Sequence, residues 1–258
     1  MDNIALIMPL CNEAQPAFDT IQTLVQSKVG ALFNLVIIQE RAEKNINLTD
    51  FDLTWHNQHT IGQLEIIDVH LGPAFNRARL LNHAIKNCRL PIIVPIYPGI
   101  LLTRHFLINT LQICLCNPKL LETYLPFAVC LTSGRQNCIP KAWGQEKKDP
   151  GQTAGITPIL LRRLFESIRG YDELHASTQP EAELMQRILE QFQLKPLNMA
   201  QFKTVNFVKS DILPPEQVNT LLSANDPSPP APLMTGSGEA VVNPETWGEI
   251  TAEYETGY

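Results

Sequence analysis

The chain is poor in positive charge, with 20 Lys and Arg against 26 Asp and Glu and a net charge of -6. No basic stripe is present, which argues against a general nucleic-acid binder, because such proteins gain affinity by releasing counterions from phosphates. No apolar run approaches the length of about 20 residues that spans a bilayer. The start lacks the basic segment and apolar stretch of a secretory leader, so a cytoplasmic location without a membrane span is expected. Histidine is scarce, and none occurs after His175. His56 and His59 have no acidic or thiol partner near them and read as part of a polar surface loop. The six cysteines sit mostly inside apolar segments, where a thiol behaves as a small hydrophobe. Cys114 and Cys116, two apart on an expected helix, face different ways and make a poor metal pair. Reduced thiols without a metal role are expected.

What remains is ordinary for one main globular domain: 258 residues, 44% hydrophobic and 18% charged. Ile4 to Met8 reads as a strand and about Ala14 to Val25 as a helix burying Phe18, Ile21, Leu24 and Val25. Phe33 to Ile38 reads as a second strand, which completes a βαβ unit. Leu64 to Val69 and Pro91 to Tyr97 are further strands, the latter continuously apolar as a strand buried on both faces should be. A helix is expected from Ile100 to Cys116, ended by Asn117-Pro118, and a strand from Pro126 to Leu131. Ser133 to Pro150 is charged and loop-like, with a lone Trp143 that suits either stacking on a ligand or packing. From about Ser223 proline, glycine and serine dominate, so residues 223–258 read as a disordered tail attached to a domain of residues 1–222. Within that tail Trp247, Ile250, Tyr254 and Tyr258 are spaced like docking anchors.

The stretch from Gly72 to Ile85, G-P-A-F-N-R-A-R-L-L-N-H-A-I, organises the rest. Phe75, Ala78, Leu81, Ile85 and Cys88 recur at helical spacing, and Gly72-Pro73 marks an expected start. Asn76, Arg77, Arg79 and Asn82 are expected off the buried face. A helix that opens with free amides and two arginines suits a phosphate, although the same spacing fits an ordinary solvated surface helix. F-N-R-A-R-L-L-N resembles the F-N-R-A-K-L-L-N signature of the β-1,4-galactosyltransferase family and, more loosely, the R-N-x-G helix of family-two glycosyltransferases. I-M-P-L-C-N-E from Ile7 resembles the first strand and turn of a GT-A glycosyltransferase. Thr153 to Glu173, T-A-G-I-T-P-I-L-L-R-R-L-F-E-S-I-R-G-Y-D-E, is similar to the segment of that family that floors the donor and acceptor pocket. Independently, Pro158 leads a run with apolar Ile159, Leu160, Leu161, Leu164, Phe165 and Ile168 that fits a helix face.

The resemblance implies an α/β GT-A fold, a mostly parallel sheet flanked by helices, with a nucleotide crevice at the carboxyl ends of its strands. It implies nucleotide contacts from Phe75 and Arg77, with Arg79 nearby and Pro9 and Glu40 framing the pocket. It places Gly155, Tyr171 and Asp172 at the acceptor pocket and Glu181 where the general base is expected. The same carboxylate is also favoured at a helix start by the dipole alone. The sequence departs from the family where the acidic D-x-D should hold a divalent cation, since those positions read Tyr97-Pro98-Gly99. The tryptophan- and glycine-rich acceptor segment and the later metal-binding histidine are also missing, so no metal and no other cofactor is expected. Two functions stay open. One is inverting transfer from a UDP-type nucleotide sugar, with Arg77 or Arg79 in place of the metal. The other is an inactive pseudo-glycosyltransferase, a binding or scaffold module whose tail docks to or is modified by a partner protein.

Overall fold

The computed structural model describes residues 3–10, 14–40, 61–70, 76–100, 102, 104–130, 155–174, 180–199 and 243–248. Phe75, Gly72-Pro73, the loop with His56 and His59, Trp143, Ile250, Tyr254 and Tyr258 lie outside these residues.

Strand β1 (Ile4–Leu10) is buried along its whole length and is the middle strand of a five-stranded sheet. A strand in that place must be apolar on both faces, which I-A-L-I-M-P-L satisfies. The order is β3-β2-β1-β4-β7. β2 (Asn34–Glu40) and β4 (Ile92–Pro95) flank β1 in parallel, with Leu6 opposite Leu35 and Val94. β3 (Leu64–Val69) continues the parallel set beyond β2, pairing Gln39 with Asp68. The short β7 (Leu160–Leu161) closes the other edge antiparallel to β4. A second sheet carries β5 (Tyr124–Cys130) between antiparallel β6 (Gly155–Pro158) and parallel β8 (Lys195–Asn198). This is the α/β architecture expected from the sequence, and the two sheets share one apolar core.

Helix α1 (Ala14–Gln26) follows β1 and buries Ala17, Ile21 and Leu24. Its hydroxyls also anchor the turn after β4. Thr20 Oγ1 donates to Tyr97 O at 3.3 Å, Gly99 N donates to Pro16 O at 2.9 Å, and Leu102 N donates to Thr23 Oγ1 at 3.0 Å. Gly99 has φ +83, a conformation that favours glycine.

Three boundaries differ from expectation. Helix α2 (Arg77–Asn87) starts at Arg77, not at Gly72, because Asn76 is extended and its Oδ1 accepts from Arg79 N at 3.0 Å. That side chain satisfies one of the free amides of the first turn and so acts as the cap. The run from Pro158 is also not helical at first. Pro158 pairs with Phe127 and Leu160 with Ile93, so sheet pairing claims these residues and α4 (Arg162–Ser167) begins only after them. Finally, α3 (Arg104–Leu111) does not run to Cys116 as an α-helix but widens into a π turn over Gln112–Cys116. Helix α5 (Pro180–Phe192) lies against β6 and leads into β8.

Candidate functional site

The parallel strands all end on one side of the sheet, which brings Pro9, Glu40, Val69 and the Tyr97 turn to a common edge. Pro9 is buried in β1 opposite Ile38, and Glu40 is the half-buried last residue of β2, opposite Val69. Gln39 Nε2 donates to Asp68 Oδ1 at 2.7 Å, tying β2 to β3 at this edge. Because α2 follows β3, its first turn arrives at the same place. The Arg77 guanidinium carbon lies 3.5 Å from the centre of the Tyr97 ring. A planar cation at that distance is attracted by the negative face of the ring. Tyr97 itself is 6% exposed, and its hydroxyl has no hydrogen-bond partner. Arg79 is half-buried in the first turn of the helix.

The turn that follows α4 faces this helix. Arg169 and Gly170 both take positive φ, at +56 and +75, and a Cβ on Gly170 would overlap Asn82 Oδ1. Asn82, expected off the buried face, is fully buried. It pays no desolvation penalty for unmade bonds, because its amide is used in full. Its Oδ1 accepts from Tyr171 N at 2.8 Å, while Nδ2 donates to Tyr171 O at 2.9 Å and to Glu173 Oε1 at 2.7 Å. Asn76 Nδ2 adds a bond to Glu173 O at 3.0 Å. The two asparagines of F-N-R-A-R-L-L-N therefore hold the G-Y-D-E turn against α2.

Behind that turn stands Arg187, 2% exposed, paired with Glu183 one helical turn earlier and donating to Gly170 O at 2.8 Å. Tyr171 has its ring buried edge-on against Phe165, centroids 5.6 Å apart, and its hydroxyl has no partner. Burial pushes its pKa up, with Arg77 acting the other way. Asp172 Oδ1 accepts from Leu174 N at 2.8 Å within the turn, and Gly155 opens β6 opposite Cys130.

Glu181 occupies the first turn of α5, is 7% exposed, and its Oε1 has no hydrogen-bond partner. Burial raises its carboxyl to about 7, and the Arg77 charge pulls it back down. Desolvation disfavours the carboxylate, so the group titrates near neutrality instead of remaining ionised. The Arg77 charge thus reaches both Tyr171 and Glu181, while Gly155 serves the second sheet. At the position of the expected D-x-D the residues do not fit a hard cation. Tyr97 offers only a neutral hydroxyl, and among the described residues no group of three or more His, Cys, Asp or Glu could hold a metal ion.

Six residues of the expected tail, Asn243–Gly248, pack on the back of the same turn. Asn243 Nδ2 donates to Arg169 O at 2.6 Å and also to Tyr171 O, and Glu173 N donates to Asn243 Oδ1 at 2.9 Å. Trp247 is 7% exposed, with its ring 5.7 Å from that of Phe165.

Sequence reasoning missed Asn82, Arg187 and Asn243. A signal existed for the first two: Asn82 follows Leu81 and precedes Ala84 on the apolar stripe, and Glu183 and Arg187 stand four apart on one helix. Asn243 had none.

No family model and no curated protein sequence matches the chain. Solved structures do. The mannosyltransferase PcManGT from Pyrobaculum calidifontis, in complex with GDP-Man and Mn2+, aligns with TM-score 0.52 at 14% identity, over 76% of this chain and 54% of that one. TarS 1-349 from S. aureus in complex with UDP-GlcNAc aligns with TM-score 0.52 at 11% identity, over 86% and 65%. The same protein with UDP gives 0.51 at 12% identity, over 72% and 54%. The chain spans about half the length of the mannosyltransferase and of UDP-bound TarS. At such identities the likeness speaks for the fold, and the fold of this chain is that of the GT-A glycosyltransferases.

Proposed function

We propose that the chain binds a nucleotide sugar of the UDP type at the carboxyl edge of its first sheet and transfers the sugar with inversion, with Arg77 taking the charge-balancing place of a D-x-D-bound metal. The observation that carries this reading is the Arg77 guanidinium stacked on Tyr97, a fixed cation at the strand end where the family keeps its acidic pair. Arginine stays charged at any working pH and grips two oxygens at once, so it suits a diphosphate. The β-1,4-galactosyltransferase-like motif on α2 and the ligands of the fold neighbours, GDP-Man, UDP and UDP-GlcNAc, support the same assignment.

In this mechanism Glu181 takes the proton of the acceptor hydroxyl, whose oxygen attacks the anomeric carbon. The bond from that carbon to the diphosphate oxygen breaks, and the negative charge that develops there is met by Arg77. A carboxyl that titrates near 7 is ionised in half or more of the molecules at slightly alkaline pH and is a stronger base than an ordinary glutamate. Pro9 and Glu40 frame the nucleoside side, Arg79 adds a second cation, and Tyr171 and Asp172 border the acceptor. The test is calorimetric titration with UDP and UDP-sugars in manganese and again in a chelator. Binding that persists in the chelator supports the reading. Absence of binding in both replaces it with an inactive scaffold; where binding persists, Glu181→Gln should keep it and lose turnover.

A further inference from the structure

The groove behind the G-Y-D-E turn is filled by a hexapeptide of the chain's own C-terminal segment, Asn-Pro-Glu-Thr-Trp-Gly, and the contacts are selective for three of its six side-chain positions. Asn243 is 4% exposed and uses both ends of its amide, donating to the carbonyls of Arg169 and Tyr171 and accepting from Glu173 N. No other side chain of that size offers a donor pair and an acceptor in this geometry; aspartate would set a negative charge against two carbonyls. Trp247 fills the apolar floor beside Phe165. Gly248 has φ +68, and a Cβ there would sit 2.9 Å from the Asn82 carbonyl carbon, so only glycine fits without strain. By contrast Pro244, Glu245 and Thr246 are exposed. The peptide main chain is held as well. Lys86 Nζ donates to Trp247 O at 3.0 Å, His83 Nδ1 lies 2.9 Å from Gly248 O, and Gly248 N donates to Glu173 Oε1 at 2.7 Å.

The same peptide touches the turn that carries Tyr171 and shares bonding partners there with Asn82. Tyr171 O accepts from both asparagines, and Glu173 bonds Asn82 through its carboxylate while its own N–H donates to Asn243. Residues 200–242 separate the peptide from the end of β8 in sequence, a length that reaches about 140 Å when extended. The described contacts that hold the peptide are its own, made to residues 70 or more positions away in sequence.

From this we propose that the groove between α2 and the G-Y-D-E turn is a recognition site for an Asn-x-x-x-Trp-Gly peptide, that its occupant is residues Asn243–Gly248, and that occupancy holds the Tyr171 turn in place. The contacts belong to the peptide itself, so it binds equally when supplied as a separate molecule. This does not depend on the nucleotide-sugar reading.

The test uses the full chain with Asn243→Ala and Trp247→Ala together, followed by amide hydrogen exchange. The Glu173 amide loses its direct partner and must exchange faster. The Tyr171 amide keeps Asn82 as its partner, so it reports whether the peptide steadies the turn; its exchange is expected to rise at least tenfold while Leu6 to Met8 in β1 stay protected. A synthetic peptide of residues 240–250 should restore protection at both amides in the variant and should not bind the wild type, whose groove is filled. Unchanged exchange at Tyr171 would overturn the steadying role, and failure of the peptide to restore protection would overturn the separable site. Should the double variant lose protection in β1 as well, the same measurement on His83→Ala with Lys86→Ala decides, since those changes loosen the peptide at its main chain and at the Trp247 ring while leaving Asn243 and Trp247 themselves in place. In that case wild-type exchange at Tyr171 refutes the proposal.

Discussion

Replacing Asn82 by leucine is the sharpest test of how helix α2 and the G-Y-D-E turn hold one another. Leucine has the same number of side-chain heavy atoms in the same branched arrangement and is bulkier, so no cavity contribution enters and any crowding adds to the loss. What is lost is chemical. Asn82 is fully buried and makes three hydrogen bonds, to Tyr171 N, to Tyr171 O and to the Glu173 carboxylate. Tyr171 O retains Asn243, and Glu173 Oε1 retains Gly248 N. Tyr171 N–H has no second acceptor and would be orphaned in the core, a cost of about 1–3 kcal/mol, and the bond to a charged carboxylate contributes about 1.5–3 kcal/mol. Asn82→Leu should therefore destabilise the fold by about 3–5 kcal/mol. Urea unfolding followed by far-ultraviolet circular dichroism would read this as a lower midpoint with an unchanged slope. Asn82→Asp separates the bonds from the bulk. The new carboxyl can still accept from Tyr171 N, but its other oxygen faces the Tyr171 carbonyl and the Glu173 carboxylate. Its proton is then held more tightly in the folded state than in the unfolded one, so the stability of this variant relative to wild type should fall as pH rises from 5 to 8. A loss under about 1 kcal/mol for Asn82→Leu, or a pH-independent Asn82→Asp, would refute the account of the turn given above.

Gly170→Ala places a side chain at φ +75 and against Asn82 Oδ1. The strain and the displaced asparagine should together cost about 2–4 kcal/mol, and a change in melting temperature of less than a degree or two would contradict this. Glu181 binds its proton more tightly when folded, at about 7 against an ordinary 4.5, so wild-type stability should decline as pH rises between those values. Glu181→Gln should remove that decline and, above pH 7, stabilise the fold by up to about 3–4 kcal/mol on the scale of about 1.4 kcal/mol per unit; parallel slopes for the two proteins would mean that the carboxyl is not desolvated. If a nucleotide lies against the first turn of α2, Arg77→Ala should weaken UDP binding by about 1.5–3 kcal/mol, or roughly ten- to a hundredfold in calorimetry, and unchanged affinity would remove Arg77 from the site.

The strands of the first sheet could be read from the sequence because a strand buried on both faces is apolar without interruption, and Ile4–Leu10 and Ile92–Pro95 are. Boundaries were less legible where a tertiary partner competes with local preference. Leu160 and Leu161 fit a helical stripe, yet β4 offers them an edge to pair with, and α4 starts late. Asn76 looked like a helix residue and is the cap, since its side chain reaches Arg79 N. At the candidate site the helix-start positions of Arg77 and Glu181 were legible, because spacing and capping rules apply there. Its supporting members were not. Asn82 is a polar residue inside the core whose partners lie about 90 positions away, and no local pattern announces them. Asn243–Gly248 is the extreme case: Trp247 could be read as a docking anchor from its spacing, but the surface that buries it is supplied by α2 and Phe165, far away in sequence.

That distance has a kinetic consequence. The bond between His83 and Gly248 joins residues 165 positions apart, whereas Asn82 and Tyr171 are 89 apart. Closing the longer loop adds only about 0.6 kcal/mol per doubling of length, so thermodynamics tolerates it easily. Time does not. On a ribosome adding about 5–20 residues per second, the first sheet and the G-Y-D-E turn emerge several seconds before Trp247 does. During that interval Phe165 and the groove beside it stand open, and the newborn domain passes through a state whose apolar seam is uncovered until its own last segment arrives to close it.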